Sequence, residues 1–212
     1  MWRWIAVLGF LGHAAVALAQ DVALGVTLPA EADRSRAGPS VTSSGLLADR
    51  DVRELLRSGF PARLHYRLQL WNASGLFNAQ REQVEWDVIV RYNPLERRYT
   101  VSRLAPDTAM SLGTFDQLPQ VESAIGGPYA PPVNPPKGHD KYYYVVLLQL
   151  DVLSVSDLSE VERWLRGELQ PAVKGERNPG TALGRGIQTL VVRLLGGEQR
   201  VHQARTPVFR PQ

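Results

Sequence analysis

Two stretches in the middle of the chain alternate apolar and polar residues with a period of two, and this alternation constrains the fold more than any other feature. Over residues 63–71, Leu64, Tyr66, Leu68 and Leu70 fall on one face, and His65, Arg67 and Gln69 on the other. Over residues 83–92, Val84, Trp86, Val88, Val90 and Tyr92 oppose Glu85, Asp87 and Arg91. Successive side chains of a strand point to opposite faces, so each run reads as a strand with one face on a core and one in water. Asn93-Pro94-Leu95-Glu96 has turn chemistry and leads into Arg98-Tyr99-Thr100-Val101-Ser102, which predicts an antiparallel hairpin around Pro94. Residues 142–153 are mostly apolar on both faces until Gln149 and Asp151, as expected of a strand placed centrally and buried on both sides. A shorter alternation, Val22, Leu24, Val26 and Leu28, predicts a further half-buried strand.

Helical punctuation appears between these runs. Asp49-Arg50-Asp51 opens a short helix through Val52, Leu55 and Leu56, and Gly59 is placed to end it. Phe115, Leu118, Val121 and Ile125 have helical spacing, with Thr114 as the expected N-cap. Ser156 or Asp157 caps a helix through Leu158, Val161, Trp164 and Leu165, stopped by Gly167. Leu183, Ile187, Leu190, Val191, Leu194 and Leu195 form the apolar stripe of a last helix. Residues 29–44 read as a mobile loop, 126–138 as a proline-rich loop and 168–180 as a linker to the C-terminal helix. The tail over 200–210 alternates, with Val208 and Phe209 placed to dock on a sheet edge. The expected fold class is therefore α+β: an antiparallel β-sheet, folded as a β-sandwich, with three or four peripheral helices in one domain over 20–212.

The N-terminus reads as an export signal. Arg3 precedes an apolar run over residues 5–19 that closes on Ala17-Leu18-Ala19, so cleavage is expected after Ala19. That run is shorter than the roughly 20 apolar residues a spanning helix needs. The mature chain is then expected to be periplasmic or secreted. The sequence contains no cysteine, so disulfides cannot staple it and the core must supply its stability. Basic and acidic residues are interspersed and the formal net charge is +3, which argues against a nucleic-acid partner. Lysine occurs three times, at Lys137, Lys141 and Lys174, while the other basic residues are Arg, a bias expected of a GC-rich bacterial genome.

Candidate chemistry is sparse. His65, His139 and His202 have no zinc-ligand spacing, and thiol catalysis is ruled out by composition. No nucleophile elbow or Ser-x-x-Lys pairing is present. Glu85 and Asp87 stand two apart on one strand face and could serve as acid and base. With Arg67 and Arg91 expected nearby, cross-strand ion pairing on a solvated face is the ordinary explanation. Arg185 and Arg193, beside the stripe of Leu183, Ile187, Leu190 and Leu194, could meet anionic lipid, although such a stripe ordinarily covers a core. Gly184-Arg185-Gly186 is too short for a phosphate loop. Asn72-Ala73-Ser74 matches a glycosylation sequon. Tyr142, Tyr143 and Tyr144 with Trp71 and Trp86 could build a stacking platform for a sugar or peptide, or simply fill the core. No catalytic, cofactor-binding or metal-binding residue is assigned.

One stretch, residues 56–167, resembles a known family. Ser58-Gly59-Phe60-Pro61 ends a helix, and a Leu-x-Tyr-x-Leu-x-Leu-Trp strand follows from Leu64 to Trp71. A Tyr-Asn-Pro-Leu-x-x-x-Tyr hairpin comes next from Tyr92 to Tyr99, and a Tyr-rich strand leads to Asp157-Leu158-Ser159-Glu160-Val161-Glu162. This is similar to a family of uncharacterised bacterial exported proteins, classed as a domain of unknown function and in some bacteria encoded beside a membrane sensor histidine kinase. The resemblance covers a little over half of the chain and does not extend to the proline-rich loop or the C-terminal helix. It implies export, a β-rich fold and a membrane-protein partner, and carries over no site residue. The expected function is a non-enzymatic envelope or periplasmic module that binds a protein partner. The alternative is an envelope hydrolase, or a carbohydrate-binding protein, using carboxylates among residues 82–87 and Asp140.

Overall fold

The computed structural model describes residues 22–106, 108–152 and 201–211. The expected signal peptide, the 168–180 linker and the helices expected from Asp157 and Leu183 lie outside the described residues. Eight strands and two α-helices are described: β1 (Ala23–Thr27), β2 (Ser40–Ser44), α1 (Arg50–Arg57), β3 (Ala62–Asn72), β4 (Ala79–Asn93), β5 (Arg98–Ala105), β6 (Thr108–Phe115), α2 (Leu118–Gly126), β7 (Tyr142–Val152) and β8 (Val201–Arg205). All pairings are antiparallel. They form a two-stranded sheet, β1-β2, and a six-stranded sheet in the order β6-β5-β4-β3-β7-β8.

The alternation over 63–71 fixes the register. Leu64 pairs with Val88 on one side and Leu150 on the other, and Leu68 with Val84 and Val146, so one face of β3, β4 and β7 is continuously apolar. That face is the core, onto which Val52 and Leu56 of α1, Val121 and Ile125 of α2, and Val41 of β2 pack. Asp49 caps α1 by accepting from the Asp51 and Val52 amides at 2.7 and 3.3 Å, and Gly59 follows the helix with φ 92°, as a left-handed C-terminal stop requires. The β4–β5 turn is the expected one. The Asn93 side chain accepts from the Leu95 and Glu96 amides at 3.0 and 3.3 Å, and Arg97 takes φ 56° to close it. β7 is interior, with β3 and β8 on its two sides.

Two expectations are corrected. Residues 40–44 of the expected loop form β2, because Ser40–Ser44 has a partner in β1 and Val41 exchanges backbone hydrogen bonds with Tyr129 at 2.8 and 3.0 Å. Thr114 is not a helix cap. It lies in β6, and α2 begins later, with Gln117 and Gln120 capping each other and Pro119 in the first turn, where its missing N–H costs nothing. Two α-helices stand among the described residues, beside a 3-10 turn at Glu31–Asp33, and the other expected helices lie outside them.

The proline-rich loop over 126–138 is fastened to the core. Tyr144 donates its hydroxyl to the Val133 carbonyl at 2.9 Å. A Cβ on Gly126 would lie 2.1 Å from the Ser43 carbonyl oxygen, so only glycine lets the end of α2 approach β2 this closely. At the other end of the chain Phe209 is buried and exchanges backbone hydrogen bonds with Tyr142 at 2.9 and 2.8 Å, docking the tail, while Val208 stays exposed. Among the described residues no helix is long and apolar enough to cross a membrane.

Candidate functional site

The second face of the six-stranded sheet was expected to be wet, and it is so toward Gln83 and Arg67, whose side chain is 42 % exposed, while its Arg63–Asp87 end is buried. Arg63 is 1 % exposed, Asp87 4 %, Glu85 8 % and Asp151 1 %. Charges leave water only when paired, and pairing is what the register provides. Opposite each other lie His65 and Asp87, then Arg67 and Glu85. Arg63 donates from Nη2 to Asp87 Oδ2 at 2.9 Å, and its Nε lies 2.9 Å from Asp87 Oδ1. His65 Nδ1 is 2.8 Å from Asp87 Oδ1. Arg67 Nε donates to Glu85 Oε1 at 2.7 Å, and Gln83 Nε2 to the same oxygen at 2.8 Å. The expected cross-strand pairing of Glu85 with Arg67 is therefore present, while Arg63 and His65 are the partners of Asp87. His65 is a member of a buried network and not a surface residue.

Asp151 stands opposite Arg63 on β7 and accepts twice from Gln149 Nε2, at 2.9 and 3.1 Å. Burial pushes its carboxyl above the ordinary range, while the Gln149 hydrogen bond and the Arg63 and His65 charges pull the other way. The sign follows. With a folded pKa above the unfolded value, the native state holds a proton that the unfolded chain has released. The associated stability is present below the unfolded pKa of about 4 and lost as pH rises through the folded value. Asp151→Asn cannot ionise, so urea midpoints are expected to show it more stable than the wild type at pH 7, with the gap closing by pH 3. An equal gap at both pH values would refute this assignment.

Of the carboxylates in the enzyme alternative, Asp87 and Asp140 are not brought together, while Glu82 stands opposite Leu70, two residues from Asn72. Asp140 accepts from Asn72 Nδ2 at 3.0 Å, at the far end of β3 from His65 and Asp87. Seven residues of strand separate the two places, about 23 Å at 3.3 Å per residue, against less than 10 Å for a glycosidase pair. Asn72 is itself buried with its amide nitrogen engaged, so the sequon is closed to modification. His139 is exposed and His202 lies on β8. Among the described residues no group of three or more His, Asp or Glu side chains could hold a metal ion.

The three tyrosines divide between the faces, as a strand requires. Tyr142 and Tyr144 lie in the core, where Phe209 stacks on Tyr144 with centroids 5.6 Å apart. Tyr143 is on the opposite face, stacked on Trp71 at 6.2 Å, with the Arg205 guanidinium 3.7 Å above it. Trp86 is on the core face, stacked on Tyr66 at 5.0 Å and 3°. One platform of all five rings does not exist.

Two features escaped the sequence reading. The first is β6 itself. Its eight residues, Thr-Ala-Met-Ser-Leu-Gly-Thr-Phe, pair among the described residues only with β5 and form an edge of the sheet, and Thr108 to Ser111 are exposed. Leu112 is extra in the register and Gly113 has φ 131°, so a bulge interrupts the strand and leaves 108–111 as its regular half. The second is Arg103. On β5 the apolar face runs Tyr99, Val101, Arg103, Ala105, a cation where the pattern calls for a hydrophobe. That break was the available signal.

Arg103 lines a cavity of about 400 Å³ together with Val84, Thr108, Met110, Tyr129 and Pro132. Its guanidinium carbon lies 4.0 Å over the Tyr129 ring, and Tyr129 in turn meets Trp86 edge-on at 5.1 Å. Burial lowers its pKa, yet an arginine stays charged. A larger cleft of about 620 Å³ lies between β2, α1 and α2, bordered by Ser43, Arg53, Glu122 and Ser123. There Glu122 Oε1 accepts from the Leu47 amide, which ties the β2–α1 connection to α2.

Comparison with protein-family models, curated proteins and solved structures returned no match.

Proposed function

We propose that the chain is a non-enzymatic exported module, periplasmic or secreted, that binds an extended segment of a membrane or envelope protein by adding it as a strand to β6. We place this edge on a sandwich-like scaffold, with β1-β2 and the two helices laid over one face of the larger sheet. The observation that carries the reading is the chemistry of β6. Natural edge strands are blunted by charge, proline, bulges or short length, and the one bulge of β6, at Leu112, leaves 108–111 regular. β6 has eight residues without charge or proline, and its first four are exposed. Backbone groups on such an edge supply affinity to an extended peptide, and neighbouring pockets supply selectivity. The resemblance over 56–167 adds a class of partner, a membrane sensor kinase. The hydrolase and carbohydrate-binding alternatives are less favoured, since Glu85 and Asp87 are already held by Arg67, Arg63 and His65.

The test is capture of membrane proteins from the source organism by the tagged mature chain, followed by hydrogen exchange of the purified pair. One membrane protein is expected in near-stoichiometric yield, with amides of residues 108–115 gaining protection. Ala109→Lys combined with Ser111→Lys, which restores the usual edge defence, is expected to abolish capture while leaving thermal unfolding unchanged. Capture that survives this pair of substitutions, with unaltered exchange in β6, would remove strand addition from consideration.

A further inference from the structure

The basic side chains on the sheet mostly have visible partners. Arg63 is paired with Asp87, Arg67 with Glu85, and Arg98 with Asp116 at 2.8 Å. Arg103 differs. Its Nε is buried with no hydrogen-bond partner, and among the described residues no carboxylate lies within ion-pair distance of its guanidinium. An unsatisfied buried donor is costly, and for a charged group more so. Its surroundings supply no counter-charge among the described residues: Tyr129 lies below, with Val84, Thr108, Met110 and Pro132 around the cavity and Ser43 and Tyr66 nearby. The volume of about 400 Å³ is within the range of ligand pockets, which are largely apolar with a few placed polar groups.

The cavity also shares its wall with the open edge. Thr108 and Met110 of β6 line it, and Met110 is the cross-strand partner of Arg103. A strand added to β6 would lie two strand spacings from β5, about 10 Å, with alternate side chains directed to the Arg103 face. We propose that this cavity is a carboxylate-binding pocket and that it receives an acidic side chain, Asp or Glu, from the segment laid along β6. The proposal rests on the strand-addition reading and sets its selectivity. A carboxylate would meet both needs of the site, a counter-charge for a guanidinium already partly removed from water and an acceptor for its orphaned donor. A neutral or basic side chain would meet neither. A free small carboxylate has the same headgroup and is the competing source.

The experiment pans a library of capped hexapeptides against the immobilised full mature chain, its Arg103→Gln variant and its Ala109→Lys, Ser111→Lys variant. Enriched wild-type binders are expected to carry Asp or Glu at one fixed position. Replacing that residue by Gln, or Arg103 by Gln, is expected to weaken binding about tenfold or more, the usual range for a charged hydrogen bond. Replacing it by Lys tests the same charge preference on the wild-type chain, so a poorly folded Arg103→Gln leaves the question answerable. Binders that depend on the β6 edge but show no acidic preference would overturn the pocket proposal and leave strand addition intact. Nuclear magnetic resonance of the Arg103 Nε–H with added N-acetylglutamate separates the sources. A shift with this small molecule, together with an absence of peptide binders, would overturn the peptide source and strand addition alike. Absence of both effects would overturn the pocket.

Discussion

Asp87→Ala is expected to destabilise the chain by about 3 kcal/mol or more, read as a lower urea midpoint at unchanged slope. The reason lies in what the substitution leaves behind. Asp87 is the carboxylate within 2.9 Å of two Arg63 nitrogens and 2.8 Å from His65 Nδ1, and both it and Arg63 are almost wholly buried. An exposed pair of this geometry would contribute less than about 1 kcal/mol, because water screens it. In the interior the attraction is offset by the cost of dehydrating both ions, so the pair as a whole adds little. Breaking it from one side, however, removes the attraction and leaves the dehydration cost of the guanidinium in place. Two companion variants separate these contributions. Asp87→Asn keeps the size and one acceptor, and is expected to lose less than Asp87→Ala. Arg63→Met with Asp87→Leu removes both charges and is expected to recover most of the stability. A loss below about 1 kcal/mol for Asp87→Ala, or a double variant worse than the single one, would show that this face is wet in solution.

That network also marks where the sequence stopped being legible. The register of β3 and β4 followed from alternation alone, because shifting one residue would turn Leu64, Tyr66, Leu68 and Leu70 away from the core. The partner of Glu85 was legible for the same reason. What alternation does not report is whether the polar face is covered, since Arg63, His65 and Asp87 satisfy one another and polar residues so paired can be buried as well as wet. The edge strand was illegible for a different reason. Thr108–Phe115 has few apolar residues and a bulge at Leu112, so its period is broken even though Leu112 and Phe115 pack against the core. Helical spacing of Phe115, Leu118 and Val121 then competed for the same residues, and Gln117 decided the boundary by capping, a role the Ser/Thr preference at N-caps had assigned to Thr114. Arg103 was visible as an interruption of an apolar face. That it has no counter-ion among the described residues required coordinates, because any of the 21 acidic residues could have been brought to it.

Trp86→Ala is expected to cost about 4 kcal/mol in the same unfolding experiment, and also to abolish the acidic preference at the Arg103 pocket. The indole is 3 % exposed and joins two parts of the molecule. On one side it stacks on Tyr66, whose hydroxyl is hydrogen-bonded to Ser43 Oγ at 2.8 Å and whose pKa is pushed up to about 12 by burial. On the other it meets the edge of Tyr129, the ring that lies under Arg103. Deleting the indole therefore removes both a large buried area and the support of Tyr129. Two readings of the pocket then differ. If the backbone bridge between Val41 and Tyr129 holds that wall alone, losses from Trp86→Ala and Tyr129→Ala should add within about 0.5 kcal/mol. If the ring contact positions Tyr129, the double-mutant cycle should show a coupling of about 1 kcal/mol, and Trp86→Phe, which keeps an aromatic edge partner, should retain acidic selectivity that Trp86→Ala loses. The second outcome is expected, because the wall is a loop between α2 and β7, with one short bridge to β2. Such a loop takes its side-chain positions from what it packs on. Additive losses, with selectivity intact in Trp86→Ala, would place the pocket's rigidity in the backbone bridge instead.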